Sequence, residues 1–381
     1  MTLCAPCLFG LEGLVADELR RMGCENVRAE TGRVLFDGDE RALVRANLLL
    51  RTAERVYILV GEFHAGSFDE LFEGVKALPW EKYIDRSGQF PVRGSSLDSA
   101  LHSLPDCQKI IKKAAAVRLA SKYGLQRLPE SGELFQIRFS LLKDRASIYL
   151  DTSGVSLHKR GWRPNSNLAP LRETLAAAIV KLSRYKGREL FTDPFCGSGT
   201  IAIEAALAAL NRAPGLSRGF AAEKWPCIPS ALWKEERDAA RAAEYRGEYR
   251  IIAGDIDPAA IDVARDNARR AGVDKYITFS VADALKTPLP PGRGILATNP
   301  PYGERLLDAA AADSLYRAMG RLWRDADDWN IYVLTSSLDF EKSFGRRAVK
   351  RRKLYNGMIQ CQLYQYFAPA SKNRKGGDET V

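Results

Sequence analysis

Glu189-Leu190-Phe191-Thr192-Asp193-Pro194-Phe195-Cys196-Gly197-Ser198-Gly199-Thr200-Ile201-Ala202 holds, in order, a short strand, a glycine turn and the start of an alanine-rich helix reaching Leu210. Glycines at 197 and 199 let bare backbone approach a ligand, and the first helical turn offers N–H groups that have no partner inside the helix. The same grammar then repeats. Strands are predicted over Arg250–Gly254, Ile277–Val281, Gly294–Thr298 and Trp329–Thr335, with helices over Pro258–Arg270 and Ala311–Arg324. Alternation of this kind predicts an α/β fold with a doubly wound, Rossmann-like parallel sheet. The end differs: Lys350–Tyr355 and Met358–Phe367 flank Asn356-Gly357, a strong hairpin signal, so the sheet is expected to close with an antiparallel pair.

The glycine turn alone is ambiguous, because Gly197-x-Gly199-x-x-Ala202 also satisfies a dinucleotide fingerprint. That reading needs an acid about 20 residues on, where only Glu223 stands, inside a segment containing Trp and Pro. A sulfonium methyl donor, S-adenosylmethionine, fits better. Its amino-acid end wants an acid beside the loop (Asp193), its ribose a carboxylate after the second strand (Asp255 or Asp257), and its adenine an acceptor after the third (Asp283). The candidate donor set is Asp193, Phe195, Cys196, Gly197, Ser198, Gly199, Asp255, Ile256, Asp257, Asp283, Ala284 and Asn299. Three acids could also be ordinary strand-end caps; their recurrence at successive strand ends favours the ligand.

Asn299-Pro300-Pro301-Tyr302 follows the fourth of these strands. The exocyclic amine of a nucleobase is a poor nucleophile because its lone pair is delocalised into the ring. A site that accepts both amine hydrogens returns that pair to the nitrogen. The Asn299 side-chain oxygen and the Pro300 carbonyl suit this, Pro301 stiffens the loop, and Tyr302 can stack on a base. These four are the candidate catalytic residues. The chemistry is an in-line displacement in which orientation contributes most, so no covalent role falls to Cys196.

The first ~155 residues have another grammar. Helices are predicted over Leu11–Met22, Glu40–Leu50, Phe68–Leu78 (capped by Ser67 with Glu70) and Asp106–Tyr123, among strands at Arg33–Phe36, Arg55–Phe63, Gln89–Arg93, Leu134–Leu141 and Arg145–Leu150. This is α+β, most simply two ferredoxin-like sandwiches. Lys109, Lys112, Lys113 and Arg118 fall on neighbouring turns of the long helix. By themselves they read as a solvated face; beside a base-modifying domain they are candidates for an RNA backbone. Lys159, Arg160 and Arg163, around Trp162 in a linker bounded by Pro164 and Pro170, are further candidates. The later basic run Arg346-Arg347 to Lys350-Arg351-Arg352-Lys353 could contact RNA or merely solubilise an edge strand.

Composition sets the remaining bounds. The 381 residues exceed one ordinary core, and 57 Lys plus Arg against 47 Asp plus Glu leave a net +10, which admits a polyanionic partner. No apolar run approaches the ~18 residues that span a bilayer, and Met1-Thr2-Leu3-Cys4 does not open a secretory leader, so a cytoplasmic location and reduced thiols are expected. Of seven cysteines only Cys4 and Cys7 are close, with no second pair to complete a zinc site; no metal is expected.

The segments Asp193–Thr200 and Asn299-Pro300-Pro301-Tyr302-Gly303-Glu304-Arg305-Leu306, with Leu101-His102-Ser103-x-Pro105-Asp106-x-Gln108-x-Ile110-x-Lys112-Lys113, Asp151-Thr152-Ser153-Gly154 and Leu157-His158-Lys159-Arg160-Gly161, together resemble the THUMP-domain class I RNA methyltransferases. Within them the chain is most similar to the bacterial ribosomal RNA guanine-N2 group, often misnamed adenine-specific DNA methylases. The resemblance implies a ferredoxin-like domain (1–56), a THUMP domain (57–155) and a catalytic domain (156–381, with 371–381 a disordered tail). It implies S-adenosylmethionine as donor and guanine N2, most simply in large-subunit ribosomal RNA, as acceptor. Relatives that fuse a second methyltransferase module leave the target nucleotide open. Transfer RNA, adenine N6 in DNA, and a non-catalytic assembly role are the alternatives.

Overall fold

The computed structural model describes residues 1–163, 171–301 and 309–369; Pro164, Pro170, Tyr302 and the tail 371–381 lie outside them. The chain forms two compact units, Met1–Ala178 with Leu210–Arg246, and Ile179–Ala209 with Gly247–Val381.

In the first unit, β1 (Thr2–Pro6), β2 (Glu25–Glu30), β3 (Arg33–Asp37), β4 (Tyr57–His64), β5 (Val92–Leu97), β6 (Ile137–Leu142) and β7 (Arg145–Asp151) make one sheet in the order β2-β3-β1-β4-β7-β6-β5. The helices are α1 (Glu12–Arg21), α2 (Glu40–Leu49), α3 (Phe68–Ala77) and α4 (Leu104–Tyr123). The two separate sandwiches expected from sequence are thus joined. β4 pairs with β1 through Leu3–Ile58 and Cys4–Tyr57, and along its length with β7. Val56 and Ile58 are buried, so the backbone beside them needs partners on both edges. α3 starts as predicted: Ser67 Oγ accepts from Glu70 N–H while Glu70 accepts from Ser67 N–H, and Leu71 and Val75 turn into the core.

The chain continues through α5 (Glu173–Leu182) and α6 (Thr200–Ala209), then contributes α7 (Ser230–Ala242) to the first unit. Residues 210–246 have no expected element, yet they join the N-terminal core. Trp225 stacks on Phe135 at 4.8 Å and donates to Leu134 O, and Arg41 of α2 pairs with Glu235 at 2.7 Å.

The second unit holds β8 (Leu190–Asp193), β9 (Ile251–Asp255), β10 (Ile277–Val281), β11 (Gly294–Thr298), β12 (Trp329–Thr335), β13 (Lys350–Asn356) and β14 (Ile359–Tyr366), ordered β10-β9-β8-β11-β12-β14-β13. The first five strands in that order are parallel; β14 runs antiparallel to β12 and to β13, with Gly357 at φ +65° between the last two. α8 (Pro258–Arg270), α9 (Ala309–Leu322) and α10 (Phe340–Phe344) complete it. The chain winds outward from β8 to β10 and then crosses back to β11, so strand order reverses between β8 and β11. Crevices at such reversals, outside the carboxyl ends of the strands, are where open α/β sheets bind ligands.

Candidate active site

Both sequence motifs meet at that reversal. Asp193 ends β8 and Thr298 ends β11, and the Thr298 hydroxyl donates to Asp193 Oδ1 at 2.7 Å. The same oxygen accepts from Phe195 N–H at 3.3 Å. One carboxylate therefore ties the glycine turn to the strand that delivers Asn299. Asp193 is buried, and burial pushes its carboxyl up to about 7, against the pull of the Thr298 hydroxyl and the Phe195 N–H; the nearby charge of Asp255 adds to the rise.

The turn is held from its other side by β9 and α8. Gly197 N–H donates to Asp255 Oδ2 at 2.9 Å, Cys196 N–H to Gly254 O at 2.9 Å, and Asn267 Nδ2 to Ser198 O at 3.0 Å. Asn267 is buried and the sequence reading passed over it. Its only signal is an amide on the inward face of an otherwise amphipathic helix. Gly197 and Gly199 have φ of +50° and +80°, and a Cβ at Gly197 would meet nothing within 4 Å, so the space above the turn is open. Burial, then Asp193 and Asp255, push the Cys196 thiol up, which leaves it no nucleophilic character.

The remaining acids differ in availability. Asp257 caps α8 by accepting from Ala259 N–H, and Asp255 Oδ1 accepts from Asp257 N–H. Ile256 between them is exposed and Ala284 buried. Asp283 accepts from Leu285 N–H and pairs with Lys286 at 3.2 Å; those contacts, the N–H first, hold its carboxyl below the usual range.

Asn299 stands immediately beyond β11. Its side-chain Oδ1 is buried and has no hydrogen-bond partner among the described residues. Pro300 after it is buried and Pro301 half-buried, while Tyr302 is outside the described residues. An unpaired buried carbonyl oxygen costs roughly 1–3 kcal/mol, so its persistence points to a partner that arrives with a ligand.

The cations chosen from sequence are less free than their spacing suggests. Arg160 is a correction. Only 2% of it is exposed, and its guanidinium donates to Leu157 O and Arg51 O, so it serves the fold and cannot meet a phosphate. Arg163 donates to Leu171 O and lies 3.5 Å from Glu173, with Trp162 beneath it. Arg118 makes a forked pair with Glu81, and Lys112 pairs with Glu130 at 2.8 Å. Lys109 and Lys113 remain exposed, Lys109 with Asp106 at 3.6 Å and Lys113 over Phe72. Lys159 is exposed. Among the described residues no group of three or more His, Cys, Asp or Glu could hold a metal, and no helix is long and apolar enough to cross a membrane.

Comparison with known proteins agrees with this architecture. Family models match in order along the chain: an RlmL ferredoxin-like domain over 2–57, a THUMP domain over 65–151, and an RMKL-like methyltransferase domain over 160–365. YpsC of Bacillus subtilis (strain 168), named as a candidate RNA methyltransferase, is 44% identical over 98% of both chains. The ribosomal RNA large subunit methyltransferase K/L of Psychromonas ingrahamii is 38% identical over 95% of this chain, which spans 49% of that longer protein. Among solved structures, SMU.472, a candidate methyltransferase complexed with SAH, superimposes with a TM-score of 0.93 at 42% identity, covering 97% of this chain and 99% of that one. A Listeria monocytogenes protein described as an N6-adenine-specific DNA methylase gives 0.92 at 46%, covering 97% and 96%. With the methyltransferase model matching more than half its residues and a full-length relative at this identity, the chain belongs to the RMKL-like methyltransferase family.

Proposed function

We propose that this protein transfers a methyl group from S-adenosylmethionine to the exocyclic N2 amine of a guanine in RNA, most specifically in large-subunit ribosomal RNA. The observation that carries the reading is the buried Asn299 Oδ1, without a partner among the described residues, at the reversal of strand order. The site fits the donor: an open glycine turn, the start of α6, and carboxylates after successive strands. When bound, S-adenosylmethionine supplies an electrophilic methyl on sulfur. Asp193, Phe195, Cys196, Gly197, Ser198 and Gly199 would line its amino-acid end, with Asp193 acting through the turn it orders. Asp255, Ile256 and Asp257 would take the ribose, and Asp283 with Ala284 the adenine.

Asn299 Oδ1 accepts one amine hydrogen and the Pro300 carbonyl the other, which returns the lone pair to nitrogen. Tyr302 is proposed, on sequence alone, to stack on the base. The methylated nitrogen is cationic and loses its proton to water, so no side chain need act as a strong base. Two acceptors would suit adenine N6 equally. RNA is favoured because the N-terminal unit matches an RNA-methyltransferase architecture and two relatives bear RNA methyltransferase names. The division into 1–56, 57–155 and 156–381 belongs to the same proposal.

Nucleoside mass spectrometry on a strain lacking the gene tests it. Loss of N2-methylguanosine from large-subunit RNA supports the reading. Loss from transfer RNA alone transfers it to that substrate, and loss of N6-methyladenine from DNA replaces it. A catalytically dead Asn299→Ala that still restores growth would favour an assembly role.

A further inference from the structure

The second unit carries a hollow of about 500 Å³ that lies apart from the candidate active site. Arg317, Arg321 and Arg324 of α9 and the turn after it, with Lys342 and Arg346 around α10, line it above Trp323 and Phe344. Arg317 is neutralised by Asp313 at 2.7 Å, and that aspartate also accepts from the Ser343 hydroxyl. The other four have no acidic group within ion-pair distance among the described residues. Arg321, Arg324 and Lys342 are exposed, while Arg346 is propped over the Tyr366 ring at 5.4 Å. Arg347 and Lys350, both exposed, carry the positive strip on to the start of β13. Asp313 feels Lys342 as well as Arg317, while Glu341 is occupied by Arg351 and by Ala348 N–H.

Cations near the end of a helix ordinarily complement its dipole. That accounts for Arg321 in the last turn of α9. It does not account for four cations, none ion-paired among the described residues, lining one concavity. The contrast with α4 is informative, since two of the four cations read there as an RNA contact are held by Glu81 and Glu130. A free cation at a surface gains from a phosphate by releasing the counterions condensed on it, whereas one already paired to a carboxylate must first break that pair.

We propose that this hollow and the strip beside it form a track for the RNA phosphodiester backbone, in addition to any contact made by the N-terminal unit. The inference rests on RNA being the substrate. It resolves the basic run at 346–353 in favour of a nucleic-acid contact for Arg346, Arg347 and Lys350.

The test is the salt dependence of binding to large-subunit RNA, measured with full-length protein at several salt concentrations. For Arg321→Gln/Arg324→Gln/Lys342→Gln, the slope of log affinity against log salt should fall by about 2, roughly 0.7–0.9 per phosphate contact, and affinity should weaken by roughly tenfold near 0.15 M salt. S-adenosylmethionine affinity, read in the same preparation, should not change and so reports an intact fold. Lys186→Gln/Lys234→Gln, two exposed lysines outside both basic clusters, gives the size of an ordinary surface change. An unchanged slope in the triple variant, with wild-type protein binding RNA normally, overturns the track and leaves the RNA reading intact. Wild-type protein that binds no RNA overturns both. An unchanged RNA slope with lost binding to phosphatidylserine vesicles assigns the cations to a membrane surface instead.

Discussion

At the residue scale, Asp193 makes the most distinctive prediction. Its folded carboxyl sits near 7, above the ordinary value of 3.8, and burial is the main cause. The folded state therefore holds this proton more tightly than the unfolded chain. The stability it contributes is complete below about 4 and is lost as pH rises through about 7, a difference on the order of 4 kcal/mol. Asp193→Asn keeps an acceptor for the Thr298 hydroxyl and removes the titration. Urea unfolding from pH 5 to 8 should show wild-type stability falling relative to the variant; parallel curves would show that Asp193 ionises normally. Asn299→Ala removes a buried acceptor that has no partner among the described residues. We expect its kcat to fall by about 10² or more, a loss comparable to deleting a single preorganised hydrogen-bonding group in other active sites, while the unfolding midpoint moves little. Arg160→Ala should do the reverse. It strands the carbonyls of Leu157 and Arg51, costs about 2–3 kcal/mol in stability, and leaves the salt slope of RNA binding unchanged.

At the element scale, the contact between α9 and α10 depends on the absence of one atom. A Cβ at Gly320 would stand 1.9 Å from the Phe344 carbonyl oxygen, which is backbone and cannot swing away. Gly320→Ala should cost about 3 kcal/mol or more by driving α10 off α9, despite alanine's better helix propensity. Calorimetry that found the variant as stable as wild type would contradict this packing. The elements themselves were legible because their signals are local. The glycine turn after β8, proline in the first turn of α8, Ser67 and Glu70 at α3, and Asn356-Gly357 between β13 and β14 are each set by neighbours in sequence. What spacing could not reveal was pairing. Nothing within α4 announces that Glu81 and Glu130 claim two of its cations, because both acids come from other segments. The same holds for Arg160, whose partners are carbonyls and leave no trace in side-chain chemistry.

At the scale of the whole molecule, the sequence pattern divides the chain near 155, whereas packing returns residues 210–246 to the N-terminal core. Phe220, Trp225 and Trp233 of that segment are buried with N-terminal residues in one apolar cluster. Which core the segment joins is set by long-range contacts, although α7 itself carries an amphipathic pattern that the sequence expectations did not include. It follows that residues 156–381 expressed alone should be insoluble or should lack a cooperative unfolding transition. A soluble fragment that melts cooperatively would show that the catalytic sheet does not need that core. The placement of the candidate donor residues around the ends of β8, β9, β10 and β11 was legible in the strand–helix alternation, while their holding the donor belongs to the proposal. The coupling of the two motifs through Thr298 and Asp193 became visible only when β8 and β11 were found side by side.

Asn299 is proposed to accept a hydrogen from a guanine amine while a methyl is delivered to that nitrogen. The most direct measurement of this step incubates purified protein with methyl-labelled S-adenosylmethionine and large-subunit RNA from a strain lacking the gene, then identifies the labelled nucleoside by mass spectrometry. Label is expected in N2-methylguanosine, at a rate reduced about a hundredfold or more by Asn299→Ala. Label in N6-methyladenosine, or equal rates for the two proteins, would contradict it.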